Sequence, residues 1–548
     1  MRRMGLKRQG RLAILILVTI FLISSMPVFA RPVNIPEGQA SRGYPTKTDH
    51  YMNRYIPVQI LGINDFHGNL NGTRTDSKTG VKSGQADYLA AYLRQREATN
   101  KNTLIVHAGD VVGASPPVSA LMQDEPTIEF LNMIGCDVGT IGNHEFDEGV
   151  DEMLRLINGG YHESTGFFAG ASFPYVSANV VWKDSEKTVL PPYVVKKVNG
   201  MPIGFIGVTL TETPTIVIPS AVVDLKFLDE VEAINKAVVA LKQKKVETII
   251  VLAHVDGNAT STEQPDTLGY IAANIDDEVD VIISGHMHLN MKKVVDGKLI
   301  VQQHYGGYAF SDIDLLIDPL TKDVVEKKAE IVVTNQALID PDPEITQFVK
   351  YYQDLVAPLV NRVIGESAVA LTKTQNAAGE SPLGNLIADA QKWRMGTDFA
   401  LMNPGGIRAD LDAGPVTWGE LSEIQPFSND LVKMTLTGAD IRIILNQQFA
   451  AIPKMLQISG FKYTWQESPV KEVVDIFMAD GVTPIDPAAH YTVTCNAFLA
   501  GGGDGFLGFL NGTGLVVGPT DLQGLVEYVQ SIPQPFSAAI EGRIMIVE

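Results

Sequence analysis

Metal-ligating residue types recur at five places in the N-terminal half of the chain, each directly after a short apolar run. The five places are Asp65-Phe66-His67, Gly109-Asp110, Gly142-Asn143-His144-Glu145, the lone His254 and Gly285-His286-Met287-His288. Mixed nitrogen and oxygen ligands of this kind suit Mn, Fe, Co or Zn better than Mg or Ca. Residues two apart on an extended chain point the same way, so Asp65 and His67 can chelate one ion.

Each motif also has an ordinary explanation when it stands alone. Asp65 and His67 could form an exposed loop pair, Gly109-Asp110 a turn, and His254 a hydrogen-bonded core histidine. His286 and His288 could be surface residues. Their joint occurrence favours a single site, because five of the chain's 10 histidines fall in these motifs: His67, His144, His254, His286 and His288.

The apolar runs before the motifs are rich in Val and Ile and have the length of buried strands. The predicted strands span residues 58–63, 103–106, 138–141, 248–253 and 279–283. Helical patterns at 85–97 and 228–244 alternate with them, and residues 193–208 predict a hairpin through Asn199-Gly200. Strand–helix alternation predicts an α/β domain. In open α/β sheets ligands bind beyond the carboxyl ends of the strands, which is where the motifs fall.

The length of 548 residues predicts two sizeable domains. We expect the first at 55–335 and the second, also α/β, at 365–548. Between them, Pro341-Asp342-Pro343 opens a predicted linker helix over 341–364. Its expected apolar face consists of Ile345, Phe348, Tyr352, Leu355 and Leu359.

Composition restricts the class of protein. A hydrophobic content of 45% and a charged content of 19% are typical of a folded globular chain. The formal net charge of -20 makes a nucleic-acid duplex or an anionic membrane surface an unfavourable partner. The two cysteines, Cys136 and Cys495, exclude a Cys-rich metal site and a disulfide framework, and we expect both to be buried thiols.

The N-terminus has the pattern of a secretory signal peptide over residues 1–30. Five basic residues precede an apolar run at 12–29, and Val28-Phe29-Ala30 offers a cleavage site before Arg31. The alternative is an uncleaved anchor helix, because the run approaches the length of a membrane span. Either reading predicts export to the periplasm, the medium or the cell surface. No later segment is long and apolar enough to cross a membrane.

The order of the five metal motifs resembles the calcineurin-like metallophosphoesterase superfamily. The resemblance implies a four-layer sandwich that binds two divalent metal ions. One ion would be held by Asp65, His67, Asp110 and His288. The other would be held by Asp110, Asn143, His254 and His286, with Asp110 bridging. Two cations roughly 3.5–4 Å apart can bind phosphoryl oxygens and activate a water, so no protein nucleophile is needed.

The same resemblance implies a catalytic pair next to the metals. His144 would stabilise the phosphate charge or protonate the leaving oxygen without ligating an ion. Asp147 follows one helical turn later and would hold the imidazole of His144. The alternative for Asp147 is a structural charge at a helix N-terminus.

Three segments of the second domain resemble the C-terminal substrate-binding domain of bacterial and animal 5′-nucleotidases. They are Asn403-Pro404-Gly405-Gly406-Ile407-Arg408, Gln425-Pro426-Phe427-Ser428-Asn429 and the Gly-rich run from Phe498 to Gly505. The match implies that Asn403 and Arg408 face the phosphate, that Phe427 and Phe498 sandwich the base, that Asn429 lies near the base edge and that Asp504 accepts hydrogen bonds from the ribose.

Alternative explanations and departures accompany this match. Taken singly, the phenylalanines could be core residues and the glycines could serve only packing. Bacterial members often carry a second arginine where this chain has Pro404, which predicts weaker or differently supported phosphate binding. Many 5′-nucleotidases have Gln or Asn in place of His288, which bears on substrate preference.

The resulting hypothesis is an exported, metal-dependent 5′-nucleotidase acting on a nucleotide substrate. The first alternative is a 2′,3′-cyclic-nucleotide phosphodiesterase or nucleotide-sugar hydrolase. Asp147 disfavours the cyclic phosphodiesterase branch, which tends to carry Asn there. The second alternative is a non-catalytic surface-binding protein, against which the full set of metal ligands argues. The sequence carries no signal for an oligomeric state.

The signal-peptide hypothesis predicts that the mature protein begins near Arg31. N-terminal sequencing of the exported protein should start within a few residues of that position. Recovery of intact Met1 in a membrane fraction would show instead that the segment is kept as an anchor.

Overall fold

The computed structural model describes residues 54–257, 262, 267–450 and 452–547. The signal segment predicted at 1–30 lies outside these residues. None of the helices formed by the described residues is both long and apolar enough to cross a membrane.

The N-terminal domain is built on two six-stranded sheets. The first sheet has the spatial strand order Val324–Val333, Ala309–Ile317, Ile56–Ile63, Thr103–Ala108, Val138–Thr140, Tyr175–Val176. The second has the order Tyr193–Val198, Met201–Thr209, Thr248–His254, Val279–Ser284, Lys298–Gln302, Met291–Val295. Parallel strands form the centre of each sheet and antiparallel strands join at its edges, as the sequence predicts.

The two sheets pack face to face, and helices cover their outer faces. One apolar cluster lies between the sheets and includes Val58, Ile60, Phe205 and Ile250. The outer face of the first sheet is covered by the helices Ala86–Glu97, Glu125–Met133 and Val150–Asn158, and that of the second by Glu230–Gln243 and Leu268–Asn274. The predicted four-layer arrangement is therefore confirmed.

Short elements complete the N-terminal domain. Its remaining strands are Thr73–Thr75, Lys82–Gly84, Gly160–His162, Gly166–Phe168, Val180–Trp182 and Leu225–Phe227. Its remaining helical turns are Pro117–Ala120, His144–Phe146, Thr213–Ile216 and Pro219–Val222.

The predicted hairpin is present as the strands Tyr193–Val198 and Met201–Thr209. Its two-residue turn places Asn199 at φ 47° and Gly200 at φ 83°. Two consecutive positive φ angles are what a type I′ turn requires, and Asn-Gly adopts them at low cost. The turn sequence therefore fixes the register of these two strands.

The helix Pro343–Val360 occupies the predicted linker position. The side chain of Asp342 caps it by accepting the backbone N–H groups of Glu344 and Ile345 at 3.0 and 3.2 Å. Its buried side chains are Ile345, Val349 and Val356, whereas Leu355 is 49% exposed. The prediction for Leu355 was wrong because the contact stripe follows spacings of four, three and four residues from Ile345, which leaves position 355 beside it.

The C-terminal domain has a central five-stranded sheet, in the order Gln457–Ser459, Phe399–Met402, His490–Asn496, Asp430–Thr437, Thr513–Thr520. A three-stranded sheet has the order Glu472–Met478, Phe461–Gln466, Ile544–Val547, and Val363–Ser367 pairs with Gly414–Thr417. The helices are Pro382–Met395, Trp418–Ile424, Gly438–Gln447, Ala497–Ala500 and Asp521–Ser531, with 3₁₀ turns at Pro404–Gly406, Gly503–Gly505 and Leu507–Asn511.

The two cysteines are both buried and free, as predicted. Burial raises the pKa of each thiol well above its usual range. Both therefore behave as small apolar side chains of the core.

Candidate metal centre and substrate cleft

The five motifs converge at one edge of the two packed sheets. The first three follow the strands Ile56–Ile63, Thr103–Ala108 and Val138–Thr140, and the last two follow Thr248–His254 and Val279–Ser284. Close approach of the loops depends on Gly109, where an added Cβ would lie 2.6 Å from the backbone nitrogen of Gly142 and 2.9 Å from Nδ1 of His254. Both sheets thus contribute side chains to one cluster.

A first group of potential ligands consists of Asp65, His67 and His288. Nε2 of His67 lies 3.2 Å from Nε2 of His288, which is 3.5 Å from Oδ1 of Asp65. Nδ1 of His67 donates to the carbonyl oxygen of Gly113 at 2.9 Å. The ring of His67 is therefore fixed with its other nitrogen directed into the group.

A second group consists of Asp110, His254 and His286, with Asn143 beside them. Nε2 of His254 lies 3.0 Å from Oδ2 of Asp110 and 3.2 Å from Oδ1 of Asn143. Nδ1 of His286 lies 3.0 Å from the same Asn143 oxygen. Oδ2 of Asp110 is also 4.0 Å from Nε2 of His67, which places this carboxylate between the two groups. The structure thus brings all seven predicted metal ligands together.

The donor set fits divalent cations. Nδ1 of His254 donates to the carbonyl oxygen of Ala108 at 2.9 Å, so in the neutral ring Nε2 carries a lone pair. That lone pair faces the oxygens of Asp110 and Asn143, and the two Nε2 atoms of His67 and His288 face each other. Acceptors facing acceptors repel unless a cation lies between them. A ring N–H donated to a backbone carbonyl is the usual support of a metal-bound histidine.

The electrostatics of the pocket agree with this. Burial and the nearby charge of His144 lower the pKa of His67 to about 3, and burial lowers that of His286 to about 4, so both rings keep a free lone pair. Burial also disfavours charge on His254, but Asp110 and Asp65 outweigh it and raise its pKa to about 9. The negative charges that favour a proton there also favour a metal cation.

The loops that carry the ligands have strained backbones. Asp65, His67, Asp110, His286 and His288 all have positive φ angles, between 48° and 78°. Each such non-glycine conformation costs on the order of 1–3 kcal/mol and persists only where the surroundings enforce it. Five of the seven predicted ligands are therefore held in positions that an unconstrained loop would not adopt.

Glu145 is a contributor that the sequence reasoning missed. Its buried carboxylate accepts the backbone N–H groups of Asp110 at 3.0 Å, Val111 at 2.9 Å and Gly142 at 2.5 Å. It thereby ties the Asp110 loop to the loop before Asn143. The residue lies inside a recognised motif, but its role depends on backbone groups 34 and 35 residues away.

His144 and Asp147 form the predicted pair. Nδ1 of His144 lies 2.8 Å from Oδ2 of Asp147. Burial favours the neutral form of His144, but the charges of Asp147 and Asp110 outweigh burial and raise its pKa to about 9. The imidazole stacks on Phe427 with ring centroids 5.7 Å apart and an interplanar angle of 11°. His144 therefore joins the metal-ligand cluster to the C-terminal domain.

The side chains predicted to bind substrate form a connected polar set. The amide of Asn403 accepts from Asn496 at 2.9 Å and donates to Oδ2 of Asp504 at 3.3 Å. Oδ1 of Asp504 accepts from Nζ of Lys454 at 2.5 Å. The guanidinium carbon of Arg408 lies 5.6 Å from the centroid of the Phe427 ring. Asn403 is thus already committed to two protein partners.

All six predicted substrate residues line one cleft of about 220 Å³. They are Asn403, Arg408, Phe427, Asn429, Phe498 and Asp504. Asn143, His144, Asp147 and His286 line the same cleft, so the metal ligands and the C-terminal segments share it. The buried Oδ1 of Asn429 has no hydrogen-bond partner among the described residues and is free to accept from a ligand.

The sequence reasoning missed Asn496 and the apolar wall formed by Ile216, Val217 and Ile218, which also line the cleft. Asn496 could have been found, because it ends a predicted strand just before Phe498. The wall carries no comparable signal. It comes from the short turn Thr213–Ile216 and the residues after it, which only the tertiary structure places there.

Comparison with known proteins identifies this arrangement. The sequence model of the calcineurin-like phosphoesterase family matches residues 58–290, and that of the 5′-nucleotidase C-terminal domain matches residues 363–510. The cell wall protein Lmo0130 of Listeria monocytogenes is 36% identical over 544 residues, covering 89% of this chain and 69% of that protein. The chain belongs to the calcineurin-like phosphoesterase family. It is a phosphoric ester hydrolase with a 5′-nucleotidase C-terminal domain.

Two further relatives show the extent of the similarity. The endonuclease YhcR of Bacillus subtilis is 44% identical over 525 residues, which cover 93% of this chain but 42% of that protein. This chain therefore spans less than half the length of that relative. The crystal structure of the 5′-nucleotidase precursor from Thermus thermophilus superposes with a TM-score of 0.75 at 28% identity, covering 90% of this chain and 99% of that one.

The family and the geometry agree on where the ions belong. Calcineurin-like phosphoesterases bind divalent metals, and every candidate ligand of this phosphoesterase lies within the matched range 58–290. The six candidate substrate residues lie within the range matched by the 5′-nucleotidase C-terminal domain. The cleft therefore combines one part from each of the two matched domains.

The geometry predicts opposite effects on metal content for two neighbouring side chains. Asp110→Asn should weaken metal affinity at least about tenfold, because loss of a mere supporting contact already costs roughly 10–100-fold. His144→Ala should keep its metal, since its ring bonds to Asp147 and lies outside both ligand groups. Metal analysis of both purified proteins after equilibration with Mn²⁺, alongside their melting temperatures, tests this. Loss of metal from a folded His144→Ala variant would show that His144 is a ligand.

Proposed function

We propose that this chain is an exported, metal-dependent 5′-nucleotidase that hydrolyses the phosphate ester of nucleotides. The observation that carries the proposal is the shared cleft. It brings the metal-ligand groups and the His144–Asp147 pair against an arginine, two phenylalanines and two polar side chains of the C-terminal domain. A phosphate and an attached nucleoside need this combination of groups.

Two divalent ions are part of the proposal. Asp65, His67, Asp110 and His288 would hold one, and Asp110, Asn143, His254 and His286 the other. When bound, such ions supply an activated water and neutralise phosphate charge, and Mn, Zn, Fe or Co would suit these ligands.

His144 is proposed as the catalytic residue of the chain itself. Because Nδ1 is engaged by Asp147 at 2.8 Å, Nε2 is the nitrogen left to contact the substrate. From there it can stabilise charge on the phosphate or donate a proton to the leaving oxygen. Asp147 fixes the tautomer and the orientation of the ring.

Arg408 and Asn403 are proposed to bind the phosphate from the C-terminal side. The guanidinium offers a planar fork of donors, which suits a phosphate better than a point charge does. Asn403 is buried and bonded to Asp504, so it also orients the proposed ribose acceptor.

Phe427 and Phe498 are proposed to hold the base, with Asn429 at its edge. Both rings line the cleft and are only partly buried, unlike the core phenylalanines. Asp504 would accept the ribose hydroxyls, with Lys454 holding the carboxylate in place. The resemblance to the Thermus thermophilus 5′-nucleotidase precursor supports this choice of substrate.

Export is proposed on two grounds. The first is the signal-like N-terminus, and the second is the nature of two relatives, one named a cell wall protein and the other a precursor. A mature enzyme outside the cytoplasm would release phosphate and nucleosides from external nucleotides.

A second candidate function is hydrolysis of phosphodiesters, favoured by the 44% identity to a protein named an endonuclease. The net charge of -20 disfavours tight binding of a duplex, which depends on neutralising many phosphates. Short or single-stranded diesters are not subject to that restriction to the same degree. Assays of mono- and diesters side by side rank the two candidates.

The nucleotidase proposal predicts metal-dependent phosphate release from AMP and a defined effect of Phe427→Ala. Stacking of a base is worth about 1–3 kcal/mol, so the KM for AMP should rise roughly five- to a hundredfold if it tracks binding. Hydrolysis of p-nitrophenyl phosphate should change much less, because this substrate has no base. Phosphate release from both substrates, with and without added metal, measures the effect.

Phe167→Ala is the matched control, because Phe167 is 80% exposed and does not line the cleft. It should leave both substrates unaffected. If Phe427 were instead a core residue, Phe427→Ala would lose about 3–5 kcal/mol of stability and both substrates would suffer alike. Equal losses with a large drop in melting temperature would contradict its proposed role, and absence of AMP hydrolysis at any metal would contradict the function.

A further inference from the structure

A second cavity borders the metal-ligand groups from a different direction. It has a volume of about 400 Å³, larger than the first cleft, and lies within the range of small-molecule sites. His67 lines it, whereas Asn143 and His286 line the first cleft. Tyr305 also lines it and stacks on His288 with centroids 4.5 Å apart. Each cavity therefore borders a different part of the ligand cluster.

We propose that this second cavity receives the second substituent of a phosphodiester and that the substrates of this chain include diesters that link two nucleosides. The proposal rests on the proposed function, since it assumes that one nucleoside occupies the first cleft. A phosphate monoester carries a single organic substituent, for which the first cleft suffices. A diester carries two, and the second needs space on the other side of the phosphorus.

The chemistry of the lining suits an uncharged nucleoside. Tyr305 is 37% exposed, and the ring of Tyr308 lies edge-on to it at 5.2 Å. Aromatic rings of this kind stack with bases of any sequence. Asn71 and Thr73 provide polar groups at the cavity wall.

The same lining disfavours a further phosphate. Glu423 is an acidic member, and none of the described residues that line the cavity is a lysine or arginine. An additional anionic group, such as the outer phosphates of a nucleoside triphosphate, would find no counter-charge there. The cavity therefore favours a dinucleoside phosphate over a polyphosphate.

The reaction balances with water as the only co-substrate. The oxygen of one water bonds to phosphorus, and one ester P–O bond breaks. The leaving oxygen takes a proton, which His144 can supply because it lines the first cleft. The product phosphate keeps the substituent that occupies the second cavity.

Filling the second cavity tests the proposal. Asn71→Trp places a bulky ring in it, and the kcat/KM for the dinucleoside phosphate ApA should fall by about five- to a hundredfold relative to that for AMP, as for loss of one stacked base. Thr75→Trp is the matched control, because Thr75 is exposed on the neighbouring strand Thr73–Thr75 and lies outside the cavity lining. It should leave the ratio of the two reactions unchanged.

A binding measurement separates recognition from turnover. Equilibrium titration of the chelator-treated protein with ApA should give weaker binding for Asn71→Trp than for the parent, at unchanged melting temperature. If the parent hydrolyses AMP but not ApA, or if Asn71→Trp lowers both reactions equally, this proposal fails while the nucleotidase function stands. If the parent hydrolyses neither, the proposed function fails with it.

Discussion

The buried carboxylate of Asp110 is the constraint on which the rest of the site depends. It is 1% exposed, and its Oδ2 lies 3.0 Å from His254 and 4.0 Å from His67. A carboxylate so placed is costly unless positive charge surrounds it. The two ligand groups meet at this residue, and Glu145 fixes its backbone. The position of every other predicted ligand follows from the need to keep a compensating cation beside Asp110.

The C-terminal domain turns this centre into a cleft for a particular class of ester. Its contribution reaches the centre at one contact, the stacking of Phe427 on His144. Beyond that contact, Arg408 and the Asn403–Asp504–Lys454 chain provide charge and hydrogen bonds at increasing distance from the ions. The phosphoesterase centre thus supplies the chemistry, and the second domain selects what is attached to the phosphate. The apolar wall at residues 216–218 encloses the space between them.

Much of the fold and most of the site could be predicted from local sequence. Strands rich in Val and Ile, the Asn199-Gly200 turn and the Asp342 cap depend on neighbouring residues, and each is found where predicted. The ligand motifs could be recognised because their spacing is tied to strand ends. Glu145, Tyr305 and the wall at 216–218 could not be assigned roles, since their contacts join residues distant in sequence. Leu355 was misplaced because the amphipathic pattern alone does not determine which adjacent stripe faces the core. The strained φ angles of the ligands arise only from the assembled site.

Anomalous X-ray diffraction from crystals equilibrated with Mn²⁺ tests the central claim most directly. The account predicts two anomalous peaks that share Asp110 as a neighbour. One should be bounded by Asp65, His67 and His288, and the other by Asn143, His254 and His286. A single peak, or peaks held by residues outside these two groups, would contradict it.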